Sequence, residues 1–275
     1  MKERRVESYW VRNLLCGAVI GAGAILPGVS GSVLAVILGI YRPMMEMLTH
    51  PFQSLPKYWN WLLPLGIGGA AGFWIFAKGI TLALSYSAAI TTWLFVGLIV
   101  GTFPQLLREA GKEGHPPSAW LSFAVCGTVM FTALFYISRV ASIHVEPNFW
   151  WWCFCGVLWG AGVVIPGMTT SSILMALDLY RPVMDGLSQM RLSILLGAVP
   201  GMLVTIAALA HVVSWLFRKH YAQAFYGILG IVTASTLVII PVFYSGVGEV
   251  LLAVACGVGG FVLAYLLGKL DVPEK

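Results

Sequence analysis

Gly21-Ala22-Gly23-Ala24-Ile25-Leu26-Pro27-Gly28-Val29-Ser30-Gly31-Ser32 has a second copy later in the chain, Gly160-Ala161-Gly162-Val163-Val164-Ile165-Pro166-Gly167-Met168-Thr169-Thr170-Ser171. Pro166 lies 139 positions after Pro27, and the same offset aligns Tyr41-Arg42-Pro43 with Tyr180-Arg181-Pro182, Glu46 with Asp185 and Leu48 with Leu187. Two unrelated apolar helices would not place a Pro-Gly, a hydroxyl cluster, a Tyr-Arg-Pro and an acid in one register. Fainter matches follow, Gly68 and Gly72 with Gly197 and Gly201. The chain therefore reads as two related halves, 1–145 and 146–275.

Composition sets the solvent. Of 275 residues, 59% are hydrophobic and 10% charged, against about 25% charged in a soluble domain. No water-soluble fold of this size hides so much apolar surface, because it needs a polar skin. The 31 glycines and 14 prolines suit membrane helices, where both are more frequent than in soluble ones. The net charge of +5 does not point to nucleic acid, since the basic residues sit in short loops without a basic run. Trp59, Trp61, Trp150, Trp151 and Trp152 mark interfacial belts. The five cysteines show neither a CxxC nor a Cys/His cluster, so no metal site and no disulfide framework is expected. The basic residues before Leu14-Leu15-Cys16 imitate a secretory signal. That reading fails because the same Gly-Ala-Gly pattern recurs in mid-chain.

Apolar segments fall at 14–26, 30–40, 62–84, 93–107 and 119–139, then at 149–165, 170–180, 192–217, 223–241 and 248–268. A span needs about 20 residues, so the first two segments of each half are too short. Joined by Pro-Gly, which breaks helices, they form either a kinked span or a re-entrant hairpin, here 14–40 and 149–180. Charge separates the two. With hairpins and a cytoplasmic N-terminus, twelve Lys and Arg lie inside, among them Arg12, Arg42, Lys57, Arg108, Lys112 and Arg218, and three lie outside (Arg139, Arg181, Arg191). Kinked spans leave nine against six, so the positive-inside rule favours hairpins. One hairpin plus three crossings per half turns the second half upside down. The expected fold class is an all-α polytopic membrane protein with two inverted-topology repeats, the architecture of alternating-access transporters.

The hairpin tips carry the chemistry. A broken helix exposes backbone N–H and C=O groups that lipid cannot satisfy, so the tips face protein or a wet cavity. After each Pro-Gly comes a short helix with free N–H groups and a partial positive charge. Small residues, hydroxyls and such an end suit an anion, phosphate above all. The candidate headgroup residues are Pro27, Gly28, Ser30, Gly31 and Ser32, with Pro166, Gly167, Thr169, Thr170, Ser171 and Ser172. The competing reading is that these hydroxyls only cap helices. Tyr41, Arg42, Tyr180 and Arg181 are candidates for headgroup admission or interfacial anchoring. Arg42 and Glu46, and Arg181 and Asp185, stand at i,i+4 spacing suited to pairing. Lys78, Asp178 and His211, with Glu46 and Asp185, are candidates for charge compensation or coupling to a proton or sodium ion, since ionisable residues in spans are functional hypotheses by default. No catalytic residue and no cofactor is expected.

Pro27-Gly28-Val29-Ser30-Gly31-Ser32 followed by Gly39-Ile40-Tyr41, with a second Pro-Gly copy before Asp178-Leu179-Tyr180, resembles the polyprenyl-phosphate transporter family over nearly the whole chain. The resemblance implies a multi-pass protein of the bacterial cytoplasmic membrane, and the charge distribution places both termini inside. It would return undecaprenyl phosphate, the lipid carrier of cell-wall synthesis, from the outer to the cytoplasmic leaflet. Its partners would be that lipid and the surrounding membrane lipids. Thr169-Thr170-Ser171 stands where the family has a Ser-Gly-Ser core, Asp178 where it has a glycine, and Arg42 and Arg181 where acids are common.

Two other readings remain open. One is an undecaprenyl-pyrophosphate phosphatase, which also has inverted repeats and a Pro-Gly-x-Ser motif. Its motif continues Ser-Arg-Ser, the arginine clamping transition-state charge, where this chain has Gly31 and Thr170, and no paired glutamates stand near either tip. The other is an ion-coupled transporter of a small anion. Oligomeric state is not written in the sequence.

Overall fold

The computed structural model describes residues 2–27, 38, 51–137, 148–165 and 170–269. Among them there are helices and no strands: α1 (Lys2–Ile25), α2 (Pro51–Tyr86), α3 (Ala88–Ala110), α4 (Pro117–Phe135), α5 (Phe149–Val164), α6 (Thr170–Ala176), α7 (Tyr180–Ser188), α8 (Leu192–Lys219), α9 (Tyr221–Ile239) and α10 (Val247–Lys269). Among the described residues six stretches are long and apolar enough to cross a membrane, Trp61–Tyr86, Ala88–Ala110, Pro117–Phe135, Leu192–Leu209, Tyr221–Ile239 and Val247–Lys269. They coincide with the six full spans expected from the sequence. The short segments behave differently. The apolar part of α1 is Trp10–Ile25, and α5 has 16 residues, about 24 Å at 1.5 Å per residue.

Proline sets where both short helices stop. Pro27 and Pro166 cannot donate to the preceding turn and push the residue before them out of helical geometry. Ile165 accordingly adopts an extended φ of −95° and ψ of 108°. At its other end α5 is capped by Asn148, whose side chain accepts from the amides of Trp150 and Trp151 at 3.0 and 3.2 Å. That satisfies two amides which otherwise have no helical partner.

Without water to drive them together, membrane helices associate by close packing of small residues. The most extensive contacts join α1 to α2, α5 to α8, α3 to α10 and α4 to α9. In the first pair, a Cβ on Gly17 would strike Leu65 and Gly69, one on Gly21 would strike Gly69 and Phe73, and Gly68 and Gly72 lie on Leu14 and Ala18. Both sequence numbers rise together, so α1 runs parallel to α2. The second pair repeats the arrangement: Gly156 lies on Ala198, Gly160 on Met202, and Gly197 and Gly201 on Cys153. Here α5 runs parallel to α8.

The other two pairs cross between the halves. Gly97 lies on Gly257 and Gly101 on Phe261, so α3 and α10 are parallel. Gln223 donates to Ser118 at 3.1 Å, and Gly230 lies on Phe123 and Gly127, so α4 and α9 are parallel as well. The principal core gathers Ile25, Ala77, Phe95, Leu174, Tyr180, Met184 and Ala264, drawing on α1, α2, α3, α6, α7 and α10. The end of α1 is therefore packed against the second half.

Candidate functional site

The last carbonyls of α1 lack an intrahelical partner, and Pro27 cannot supply one. Ile25, 2% exposed, turns its carbonyl toward the second half. There it accepts two hydrogen bonds, from Ser171 Oγ at 3.3 Å and from Tyr180 Oη at 3.2 Å. Ser171 belongs to α6, just after the second Pro-Gly, and Tyr180 opens α7. Ile25 of the first copy of the motif thus meets Ser171 of the second, and Tyr180 beyond it, at one oxygen. Ser171 is 6% exposed and Tyr180 2%. The Tyr180 ring is held edge-on to Phe95 of α3, centroids 5.8 Å apart.

Ser172, fully buried, pairs with Ser235 of α9 at 2.8 Å, and Ser235 donates to the carbonyl of Val232 at 3.1 Å. Thr170 is buried beside them. The hydroxyls of Ser171, Ser172 and Ser235 form a polar thread through an apolar core, and in this conformation they are bonded within the protein. Ser235, Phe95 and the Ile25 carbonyl were not among the residues singled out in the sequence. Ala234-Ser235-Thr236 inside an apolar span was a weak signal for the first of them. A backbone carbonyl gives no signal at all.

Pro27 is fully buried. Gly28, Ser30, Gly31, Ser32, Tyr41, Arg42 and Glu46, with Pro166, Gly167 and Thr169, lie outside the described residues. His211 is part of α8, its side chain outside the description.

The segment expected as one helix over 170–180 is helical only over Thr170–Ala176, and the next helix begins at Tyr180. α6 ends at Ala176, where the amide of Leu179 donates to Leu174 at 2.9 Å and that of Asp178 to Met175 at 3.0 Å. This is a Schellman closure, and it requires a left-handed residue at the position Asp178 occupies, where φ is +56°. Asp178, exposed, is therefore a turn residue and not one turn of helix away from Arg181. The expected pairing of Arg181 with Asp185 is not formed either. Arg181 is exposed, whereas Asp185 Oδ1 is buried without a hydrogen-bond partner among the described residues. Lys78 lies in α2 and is exposed, its Nζ 3.9 Å from the centroid of the Trp74 ring. Trp74 in turn donates to the carbonyl of Ser188 at the end of α7, at 3.0 Å. Among the described residues no group of three His, Cys, Asp or Glu could hold a metal ion.

Comparison with known proteins gives the arrangement a context. A family model described as undecaprenyl phosphate translocase-like matches residues 1–107 and 52–250. A polyprenyl-phosphate transporter of Vibrio cholerae is 26% identical over 228 residues, 77% of this chain and 71% of that protein. A polyprenyl-phosphate transporter of Staphylococcus aureus is 22% identical over 284 residues, 97% of this chain and 98% of that protein. No solved structure matches the chain.

Proposed function

We propose that this chain, which belongs to the undecaprenyl phosphate translocase-like family, carries polyprenyl phosphate across the bacterial cytoplasmic membrane, from the outer leaflet to the cytoplasmic one, so that the carrier lipid of cell-wall synthesis is used again. It is a membrane transporter and not an enzyme, as the family and the named relatives are.

The observation that carries the substrate reading is the convergence of Ser171 and Tyr180 on the Ile25 carbonyl. Two hydroxyl protons aimed at one oxygen, inside an apolar core, are a poor investment for a protein that needs only a helix end capped. A phosphate oxygen presents the same acceptor with more charge, and hydrogen bonds to a charged acceptor are roughly twice as strong as neutral ones. The headgroup takes the place of the carbonyl, and the Gly28 and Gly167 amides with the hydroxyls of Ser30, Ser32, Thr169 and Thr170 complete its shell. The prenyl tail stays in lipid between helices.

Packing supports the route. A helix that enters and returns leaves the next helix running in its own direction, which is the relation of α1 to α2 and of α5 to α8. A kinked full span would leave them antiparallel. α3 is antiparallel to α4 through a short connection, yet parallel to α10. That relation favours halves of opposite orientation, each presenting its tip to one leaflet.

The test is reconstitution. Purified protein in liposomes should relocate polyprenyl phosphate between leaflets, and the joint variant Ser32→Ala with Ser171→Ala should slow it by about tenfold or more, the loss of a charged hydrogen bond. Protein that moves no polyprenyl phosphate, or a joint variant as fast as the parent, would sink the reading. Release of inorganic phosphate from the pyrophosphate would replace it with the enzyme.

A further inference from the structure

We propose that Lys78 is the capture residue for the substrate's phosphate on the outward stripe of α2, facing lipid at the depth of the end of α1. The proposal rests on the transport reading above and adds where, and by which charge, the headgroup leaves the lipid.

Lys78 stands on a stripe that α2 turns outward. Ile75, Leu82 and Tyr86 recur with it at helical spacing and are all exposed, Leu82 by 71%. Gly79 lies on the same side, and a Cβ placed there would meet nothing within 4 Å. The lysine is thus the cation of a lipid-facing surface, with open space beside it. Its depth follows from the α1–α2 register. Gly21 lies on Gly69 and Phe73, so one further turn brings Ile25 level with Ala77, both members of the same core. Lys78 is the next residue.

An ordinary lipid-facing lysine would snorkel to the nearer interface. Tyr86, the end of the span, is eight residues on, about 12 Å along the helix. The ammonium does not reach toward it. It is folded back over Trp74, one turn deeper. A ring face holds a cation by its quadrupole without neutralising it, and no described carboxylate lies within ion-pairing distance. The charge is therefore parked and available for an anion. The anion that arrives at a lipid-facing position carries its own hydrophobic tail, and a phosphate monoester offers more charge than the phosphodiester of a bulk lipid. The same Trp74 donates to the carbonyl of Ser188, so the parking place is tied to α7, the helix that Tyr180 opens.

The experiment uses full-length protein in phosphatidylcholine vesicles. Translocation is measured against the mole fraction of polyprenyl phosphate for the parent, Lys78→Gln and Lys78→Arg, each checked for monodispersity. Thermal stabilisation of each protein is measured with polyprenyl phosphate, with polyprenol, and with inorganic phosphate. Lys78→Gln is expected to be about tenfold slower at low mole fraction, as loss of one charge-assisted contact implies, to recover at high mole fraction, and to lose the stabilisation by polyprenyl phosphate. Lys78→Arg should retain most of the rate, and polyprenol and inorganic phosphate should not stabilise the parent. A parent that moves the lipid with Lys78→Gln equally fast at every mole fraction overturns the capture role and leaves the transport reading standing. So does a uniform loss that Lys78→Arg fails to rescue, which marks a structural lysine. Equal stabilisation by inorganic phosphate overturns the lateral lipid route. A parent that moves no lipid fails the transport reading itself.

Discussion

Tyr180 is the residue at which the two copies of the motif act on each other. Its hydroxyl and that of Ser171 share one acceptor, so their losses should not add. Tyr180→Phe is expected to lower stability by about 0.5–1.5 kcal/mol, the net value of a buried hydrogen bond, and Tyr180→Phe with Ser171→Ala by less than the two single losses together. Thermal unfolding in detergent checks both. Strict additivity would mean that the shared carbonyl is not their common acceptor. Asp178 gives the opposite sign. At a φ of +56°, glycine relieves the strain an L-residue carries, so Asp178→Gly should stabilise by up to about 1 kcal/mol and leave transport intact. A stable Asp178→Gly protein that no longer transports would give the carboxylate the coupling role considered from the sequence. Ser171 and Tyr180 were legible because each sits inside the duplicated pattern, and Lys78 because a cation in a span is conspicuous. The Ile25 carbonyl was not legible, since every residue has one and only the fold selects it. Nor was the Schellman turn, because Asp178 occupies a left-handed site without being the glycine or asparagine that announces one.

At the level of the element, glycine decides which helices touch. In α1 and α2 the backbones meet wherever Gly17, Gly21, Gly68 and Gly72 remove a side chain, and in α5 and α8 the same is true of Gly156, Gly160, Gly197 and Gly201. A methyl group at Gly156 would run into the carbonyl of Ala198, so α5 must lift off α8. Gly156→Ala should destabilise by about 1–3 kcal/mol as an overpacked contact, despite alanine's better helix propensity of up to about 1 kcal/mol. Gly66, with nothing within 4 Å of an added Cβ, is the control, and Gly66→Ala should be neutral or stabilising by that smaller amount. Equal effects at the two positions would remove close glycine packing as the cause. The six spans could be read from the sequence because length and hydropathy suffice to place a helix in lipid. The partner of each helix could be read only in part. Gly68, Gly72, Gly197 and Gly201 were visible as an echo, but nothing in the echo says that they face α1 and α5 in parallel. Direction along a contact is a property of two helices, and a sequence pattern describes one.

For the molecule as a whole, the parallel pairing of α3 with α10 and of α4 with α9 fixes which helix ends lie together. At one end Tyr221 donates to Glu109 at 2.9 Å, His115 is bonded to Tyr226, and Gln223 donates to Ser118. At the other end Ser87 donates to Glu249 at 2.6 Å, the amide of Ser245 to the same carboxylate at 2.7 Å, and Trp93 to Tyr244 at 2.8 Å. Lys112 and Arg218 stand close in sequence to the first set of contacts, and Ser245 belongs to the second. Because α1 is parallel to α2, and α3 returns from Ala88 to Ala110, Arg12 must open on the same face as Lys112. A chain whose first two apolar segments made one kinked span would place Arg12 and Lys112 on opposite faces, so this pair separates the two topologies where charge counting could only weigh them. Single cysteines at Arg12, Lys112, Arg218 and Ser245, introduced after the five native cysteines are replaced, should divide three to one when intact cells are treated with a membrane-impermeant maleimide. Ser245→Cys should react from outside, and the other three only after the membrane is opened. Reaction of Arg12→Cys from the face of Ser245→Cys would put the first helix on the wrong side for a hairpin. The first Pro-Gly would then lie on a through-going span, and no anion site could be shared between two tips meeting in mid-membrane.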